Sequence, residues 1–434
     1  MRIGIVLICL TLSACQTTHT RSLPNAQSSA APFAASAQQN LDTYLAQALT
    51  ADTAVSIGLL QSPDVKKIIA ELNSHYQQAE IDSAWPSLNI GLKQLLQGNS
   101  ANLSTSIELS FSRLLWSHYY QNIRQHQQQQ ALALARQQLL TYALEVRQHF
   151  YQYQNLQAQE AGLYRLQEAS EALMMLAQRQ QQAGNIGQRD YDHALIMHQK
   201  NLLQRAENQR QQQSLRATLN QLLGLWGQEA DNWQVSTQLP VLPKQLANLV
   251  NVEQFALAHH PAWQVAEQQQ LANTFQSKLN GKQRWLDGIS VGAEQEDNDT
   301  SAQLGFSIPL TGSSQKRLTK AQQQAILAEQ EQQTLHIRWQ TRLAYQHWQS
   351  SWQTAHTWQQ QLLPAYTSIR KQSALHYNGM LEGLESLIEA NQQEHQAYVD
   401  FLDALMQFAL SQNQLEQWLT LPIEQAAKQM ETQP

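Results

Sequence analysis

The sequence predicts a mainly α-helical chain built from two similar halves, each made of a β-hairpin and a very long helix. Three observations support this fold class. The features of residues 51–224 return in the same order in residues 251–420. Each half contains segments in which apolar and polar residues alternate with a period of two, as in strands with one apolar face. Each of these segments leads into a long stretch of helix-forming residues that contains almost no glycine.

The N-terminus carries an export signal. Met1-Arg2 is followed by an apolar run and then by Leu12-Ser13-Ala14-Cys15. A run of about ten apolar residues is too short to span a bilayer, so residues 1–14 are predicted to be a cleaved signal peptide. The last four residues resemble the bacterial lipobox, which implies that Cys15 becomes the lipidated N-terminus and is held in outer-membrane lipid. The alternative is an ordinary signal peptide that contains an incidental cysteine.

A tether follows the signal peptide. Residues 15–50 are rich in Ser, Ala and Gln and contain Pro24 and Pro32, a composition typical of linkers. Cys9 and Cys15 are the only cysteines, so the lipidated chain would keep none for a disulfide. We therefore expect stability to come from packing and assembly.

Four alternating segments are predicted as strands, at about 87–95, 103–111, 287–295 and 302–310. Each is about nine residues long, which crosses a bilayer when the strand is tilted. Four strands cannot close a barrel, and an open edge in lipid leaves backbone groups unsatisfied at several kcal/mol each. We therefore expect a homotrimer with a twelve-stranded membrane β-barrel.

The helical stretches at 117–182 and 313–377 are predicted to continue this barrel as an α-helical barrel. Apolar residues recur every seven positions in the first stretch, at Leu132, Leu139, Val146 and Tyr153, with Ala143 and Phe150 in a second seam. At 1.5 Å per residue, each helix would be about 95 Å long. The remaining predicted segments are return helices at 188–223 and 384–419, a linker at 225–250 and a C-terminal tail at 421–434.

Two glycine-containing breaks separate the long helices from the return helices. They comprise Gly184, Asn185, Ile186 and Asp190 in the first half, and Gly379, Met380, Leu381 and Glu385 in the second. We predict that Gly184 and Gly379 take the left-handed conformation after a helix. Asp190 and Glu385 suit the starts of the return helices. A threefold ring of Glu385 carboxylates would also favour cations in a narrow pore; stabilisation of a helix start is an equal alternative.

These residues resemble the TolC-like outer-membrane efflux proteins. The resemblance covers residues 51–420 and rests on Ala84-Trp85-Pro86-Ser87-Leu88, on Leu304-Gly305-Phe306-Ser307-Ile308-Pro309-Leu310 and on the two breaks. Two positions depart from the family pattern. Gln283-Arg284-Trp285 replaces a proline before the third strand, and Leu381-Glu382 stands where some members carry a basic residue that locks the closed tip.

The resemblance implies an outer-membrane channel subunit of a tripartite efflux system. Such trimers dock through their periplasmic tips onto a periplasmic adaptor protein and an inner-membrane transporter, and they conduct substrates passively. Two alternatives stay open: the duct of a type I protein secretion system, and a lipid-anchored periplasmic coiled-coil scaffold without a barrel.

Other classes of function lack their sequence features. The net charge is -6 and no basic stripe interleaved with aromatic residues appears, so nucleic acid is not an expected partner. The fourteen histidines are scattered along the helices, which favours structural or solvent-facing roles over metal ligation. Tryptophans of the second long helix, such as Trp339, are expected to pack between helices, whereas Trp85, Trp116 and Trp285 suit the membrane interface. We expect neither an enzyme nor a cofactor.

Overall fold

The computed structural model describes residues 44–82, 88–97, 100–110, 115–236, 239–283, 288–296, 299–307 and 312–432. The signal peptide, Cys15 and the tether up to residue 43 lie outside these residues. The described part consists of long helices and one small antiparallel sheet, arranged as two repeats of the same elements.

The sheet has four strands in the order in which they occur along the chain. Their bounds are β1 Leu88–Gln97, β2 Ser100–Ser110, β3 Gly288–Glu296 and β4 Asp299–Ser307. Pairing within each hairpin extends to Gln97 with Ser100 and to Glu296 with Asp299. The second and fourth strands therefore begin about three residues earlier than predicted, and the predicted solvent loops at 98–100 and 297–299 were too long. The alternation is weak there, since Ser, Asn and Thr suit either a loop or a polar strand end.

The helices are named in chain order. Those of the first repeat are α1 Ala51–Gln61, α2 Pro63–Asp82, α3 Ser117–Gln182 and α4 Gln188–Leu223, and the short α5 Gln228–Asn232 lies in the linker. Those of the second repeat are α6 Val252–His259, α7 Pro261–Gln283, α8 Gly312–Thr357, α9 Leu363–Asn378 and α10 Leu384–Leu419, followed by α11 Ile423–Thr432. The 66 residues of α3 make a helix about 100 Å long.

The second long helix is interrupted, contrary to the prediction of one helix at 313–377. A π-helical segment at Trp358–Leu362 separates α8 from α9. Pro364 follows it at the start of α9. Proline has no N–H to donate to the carbonyl four residues earlier, so the ladder of helical bonds changes register here.

The helices lie side by side in two arcs that share the long helices. Beside the sheet the order of contacts is α2, α3, α7, α8, which follows the order of the strands to which these helices connect. Further from the sheet the order is α4, α3, α10 and then α8 with α9. In both arcs the first and last helices have a partner on one side only among the described residues.

Two apolar clusters lie where the arcs meet. In the first, Val146, Phe150 and Trp233 are almost fully buried. In the second, Trp348 and Phe408 occupy the corresponding place. The clusters fasten α1 and the linker to the first repeat, and α6 and α11 to the second. These are the only apolar cores of this size among the described residues.

Three sequence predictions need correction around these clusters. Leu49, placed in the tether, is buried in the first cluster and bridges to Val235. The predicted C-terminal tail contains α11, whose Ile423 and Ala426 are buried in the second cluster. Leu132, placed in the heptad seam, is 42% exposed, because the seam holds only where α3 faces the first cluster.

Equivalent ion pairs mark the two repeats. Arg147 of α3 contacts Asp52, the second residue of α1, at 2.7 Å. Arg342 of α8 contacts Glu253, the second residue of α6, at 2.6 Å. Arg147 and Arg342 are therefore counterparts on the two long helices.

Candidate functional site

One face of the sheet is apolar and exposed. The register places Val291 opposite both Leu109 and Leu304, and Ile90 opposite Ile107. The side chains of Ile90 and Leu304 are 67% and 63% exposed. Because successive side chains of a strand point to opposite faces, the alternation in the sequence becomes a continuous apolar surface. Exposed apolar surface of this kind marks contact with a membrane or another protein.

The opposite face is polar and sterically tight. Glu108 and Glu294 lie on it, and Gln303 donates a hydrogen bond to Glu294. A Cβ added to Gly305 would lie 2.5 Å from the Ser290 Oγ, and one added to Gly292 would lie 3.0 Å from the carbonyl oxygen of Ile107. The glycines thus allow close approach between neighbouring strands on this face.

The two outer strands each have one free edge. In the described sheet β1 pairs only with β2, and β4 only with β3. A free edge presents unpaired N–H and C=O groups that can pair with another strand. Near this end Trp116 contacts Tyr119 edge to face, whereas Trp85 and Trp285 of the expected aromatic girdle lie outside the described residues.

The first helical tip closes α3 in a regular way. Gly184 has a φ of 75°, the Asn185 N–H donates to the Gln180 carbonyl at 2.8 Å, and the Gly184 N–H donates to the Gln181 carbonyl. This is the Schellman pattern, in which a left-handed residue ends the helix. Gly187 then caps α4, where its N–H donates to the Asp190 carboxylate at 3.3 Å.

The second tip has the same pattern with a different residue in the left-handed position. Met380 has a φ of 57°, whereas Gly379 has a φ of -81° and ends α9 as its cap. The Leu381 N–H donates to the His376 carbonyl at 2.8 Å. The prediction that Gly379 would be left-handed was wrong by one residue, because the helix runs one residue further. A non-glycine residue in this conformation costs about 1 kcal/mol.

The two tips pack against each other. Ala177 and Ala194 of the first hairpin form a buried cluster with Leu384 and Ile388 of the second. Gln180 also donates to the Tyr377 hydroxyl at 3.0 Å. Ile186 packs against the same cluster and is only partly exposed. Of the predicted tip residues, Ile186 is therefore less accessible than Met380 and Leu381, which are 94% and 77% exposed.

Glu382 fastens the second tip from within. It accepts a hydrogen bond from Ser386 at 2.7 Å, and the His376 Nδ1 lies 3.0 Å from its carboxylate. These hydrogen bonds, His376 first, lower the pKa of Glu382 below its usual value. The acidic residue that departs from the family pattern thus has partners inside its own hairpin.

Asp190 and Glu385 are not equivalent, although the sequence suggested similar roles. Asp190 is the third residue of α4 and binds the capping Gly187. Glu385 is the second residue of α10, so its counterpart is Arg189. Both Glu385 and Arg189 are exposed and line a cleft of about 410 Å³ between the two tips, together with Asp192. The structure leaves Glu385 accessible to solvent, as a pore ring requires.

Polar contacts join the two repeats along α3 and α10, which run antiparallel. The Arg147 Nη1 donates to the Asn413 Oδ1 at 3.3 Å and lies 3.8 Å from Glu416. Further along, Asn155 and Gln159 donate to the Asp403 carboxylate at 2.6 and 2.9 Å. These contacts fix the register of the two helices.

No group of three or more His, Cys, Asp or Glu residues in the described ranges is placed to hold a metal ion. Where helices are described, none is both long and apolar enough to cross a membrane.

The fold is similar to that of solved outer-membrane channels. The structure of a membrane protein from Pseudomonas aeruginosa aligns with a TM-score of 0.73 and 15% identity, over 87% of this chain and 95% of that one. The CmeC outer membrane channel of Campylobacter jejuni aligns with a TM-score of 0.72 and 13% identity, over 88% and 89%. The outer membrane protein VceC of Vibrio cholerae aligns with a TM-score of 0.70 and 12% identity, over 86% and 96%.

Sequence comparisons find less than this. No family model matches the chain, and no curated protein sequence matches it either. The likeness is therefore one of fold, and it extends over nearly the whole length of both partners in each alignment. The chain has the fold of the TolC-like outer-membrane channels, as its sequence resemblance implied.

Proposed function

We propose that this protein is the outer-membrane channel subunit of a tripartite efflux system. One observation carries the proposal: a four-stranded sheet with an exposed apolar face and two free edges lies at one end of long helices, of which α3 is about 100 Å long. A lipid bilayer would cover the apolar face. A long helical duct suits a chain that must also reach across the periplasm.

Assembly into a trimer would give the backbone groups of the two free edges hydrogen-bond partners. In lipid, each unpaired backbone group costs several kcal/mol, so β1 of one copy would pair with β4 of the next. Three copies of the four-stranded sheet make a closed barrel of twelve strands, within the size range of outer-membrane barrels. The helices follow the order of the strands, so the same closure places α2 beside α8 of the next copy and gives an α-helical barrel.

The helical tips would receive a periplasmic adaptor protein. Met380 and Leu381 are the most exposed apolar residues of the second tip, and an isolated apolar tip is suited to docking in a partner's pocket. Gly184 and Asn185 hold the equivalent positions on the first tip. Glu385 would add a ring of three carboxylates at the entrance, favouring cations over anions.

Transport through the duct would be passive. The energy would come from an inner-membrane transporter, which would also select the substrate. The lipobox at Cys15 would add acyl chains to the membrane anchorage at about 0.8 kcal/mol per buried methylene.

The scaffold alternative accounts for the helices but gives no role to the sheet. A periplasmic coiled coil has no reason to expose Ile90 and Leu304 in a continuous apolar surface. The secretion-duct alternative uses the same architecture with another transporter, and deletion of the gene separates the two. Loss of small-molecule tolerance supports efflux, whereas loss of an exported polypeptide supports secretion.

Membrane fractionation tests the proposal. The full-length protein should appear in the outer-membrane fraction and migrate as a trimer on a denaturing gel until it is heated. In planar bilayers the purified protein should open ion-conducting channels. A protein that is released as a soluble monomer when its lipid is removed would contradict the channel function.

A further inference from the structure

The linker after α4 presents a tryptophan to solvent. Trp226 is 83% exposed, while the preceding Leu225 is 5% exposed and belongs to the first apolar cluster. Gly224 and Gly227, which flank the pair Leu225-Trp226, have φ values of 73° and 62°. A Cβ on Gly224 would lie 3.2 Å from the Pro63 side chain, so the turn is packed against the start of α2. Trp226 is thus held outward by a packed turn.

A second exposed aromatic patch lies on α8. Leu335, Trp339 and Leu343 are 51%, 62% and 44% exposed, and their spacing of four residues places them on one helix face. The Arg342 guanidinium lies 5.1 Å from the centre of the Trp339 ring. Tryptophan and arginine are the residues most enriched at the energetic centres of protein interfaces. Trp339 was expected to pack between helices, and within a single chain it is left largely exposed.

The internal repeat relates these two surfaces. Arg147 and Arg342 are counterparts on α3 and α8, because each contacts the second residue of the preceding short helix. Within one chain, Arg147 faces Asn413 and Glu416 near the end of α10. The helix α4 is the counterpart of α10: both begin after a capping glycine, Gly187 or Gly383, and each spans 36 residues.

In the proposed trimer the same packing repeats between copies. The free edge formed by α4 lies beside α8 of the neighbouring copy, as α10 lies beside α3. The counterpart of Glu416 is Asn220, so Arg342 would face the region of Asn220 on the neighbouring copy. Trp226 follows Asn220 by six residues, just beyond the end of α4. It therefore arrives at the level of Trp339 and Arg342.

We propose that Trp226 is an anchor between subunits, which packs against the Trp339 and Arg342 patch of a second copy of this chain. This inference rests on the proposed trimer, and adds the residues that hold it together midway along the duct. This contact would bury two tryptophan rings and an arginine. It would give the boundary between two subunits a packed centre that the free chain lacks.

Disulfide trapping in the full-length protein tests the contact. The double variant Trp226→Cys and Trp339→Cys should form covalent dimers and trimers on a denaturing gel after mild oxidation. The pair Leu203→Cys and Trp339→Cys is the control, since Leu203 is also exposed, at 71%, but lies 20 residues before the end of α4, which is roughly 30 Å away. It should give monomers only.

Substitution of Trp226 alone gives a second readout. Trp226→Ala should lower the temperature at which the trimer dissociates by several degrees, and Trp226→Phe should restore most of it. If the wild-type protein forms heat-sensitive trimers but neither trapping at 226 and 339 nor the effect of Trp226→Ala is seen, the anchor is refuted and the channel proposal stands. If the wild-type protein forms no trimer, both are refuted.

Discussion

Asn155 of α3 and Asp403 of α10 are joined by a hydrogen bond of 2.6 Å that links the two repeats of the chain. Gln159 donates to the same carboxylate oxygen at 2.9 Å. Burial, the largest influence, raises the pKa of Asp403 above its ordinary value of 3.8, with Asp400 adding to the effect and the two amides opposing it. The Asp403 carboxylate therefore accepts two hydrogen bonds at a position where burial disfavours its negative charge.

We predict that Asp403→Ala lowers thermal stability more than Asp403→Asn. The alanine leaves two buried amide groups without their acceptor, at about 1–3 kcal/mol each. The asparagine keeps an acceptor oxygen and removes the buried charge. Thermal unfolding of the detergent-purified protein at pH 7 should give Asp403→Ala the lowest midpoint and place Asp403→Asn close to the wild type. Equal midpoints for the two variants would contradict this role.

The pH dependence follows from the direction of the shift. Because the pKa of Asp403 is raised in the folded protein, the folded state binds the proton more tightly than the unfolded state. Stability relative to Asp403→Asn should thus increase as the pH falls from above the raised pKa towards 3.8, and decrease as the pH rises through that window. A difference between wild type and Asp403→Asn that is constant between pH 7 and pH 4 would exclude this linkage.

The second tip offers a test that separates stability from docking. Met380 has a positive φ and a side chain that is 94% exposed. Met380→Gly should stabilise the tip by up to about 1 kcal/mol, since glycine adopts this conformation freely, yet it should weaken capture of the adaptor. Thermal unfolding and co-purification of a tagged adaptor measure the two effects. Unchanged adaptor capture would argue against docking through Met380.

Gly184→Ala serves as the matched control on the first tip. Gly184 has a φ of 75° and no atom within 4 Å of a built Cβ, so alanine meets backbone strain but no clash. It should lower stability by about 1 kcal/mol without removing an apolar side chain from the tip, so at a temperature where the protein is folded it should weaken adaptor capture less than Met380→Gly does.

An arginine should have different effects on the two faces of the sheet. Leu304→Arg lies on the apolar face, where a charge in lipid costs about 2–4 kcal/mol near the bilayer centre. Gln303→Arg lies one residue away on the polar face beside Glu294. The first variant should reduce the amount of trimer in the outer-membrane fraction, and the second should not. If both variants assembled like the wild type, the assignment of the Leu304 face to lipid would be wrong.

Cys15→Ser should abolish lipid attachment. Growth with labelled palmitate should label the wild-type protein and leave the variant unlabelled. Trimers of the variant should still form if another signal peptidase removes the leader, because the barrel provides most of the apolar contact with the membrane. Absence of label in the wild-type protein would show that Cys15 is not acylated.

The sequence predicted the repeat, the strands and the long helices because these depend on local pattern. Alternation at Ile90 and Leu304 gives strands, and the near-absence of glycine in α3 gives a helix of 66 residues. It could not predict that Met380 rather than Gly379 is left-handed, since the end of a helix is decided by capping bonds over a single residue. The π segment before Pro364 was missed for the same reason.

Long-range contacts lay further beyond the sequence. The counterpart ion pairs of Arg147 and Arg342 join residues 95 and 89 positions apart, and no spacing indicates such partners. The packing of Leu49 and of α11 depends on apolar clusters that only the folded chain creates. The non-equivalence of Asp190 and Glu385 likewise appeared only when the starts of α4 and α10 were known.

Electron cryo-microscopy of the detergent-purified protein would show how many chains assemble and which strand edges pair. We expect particles with threefold symmetry, in which β1 of each copy pairs with β4 of the next to close a twelve-stranded barrel above an α-helical barrel. Particles that contain a single chain, or an assembly in which the edges of β1 and β4 stay unpaired, would contradict it.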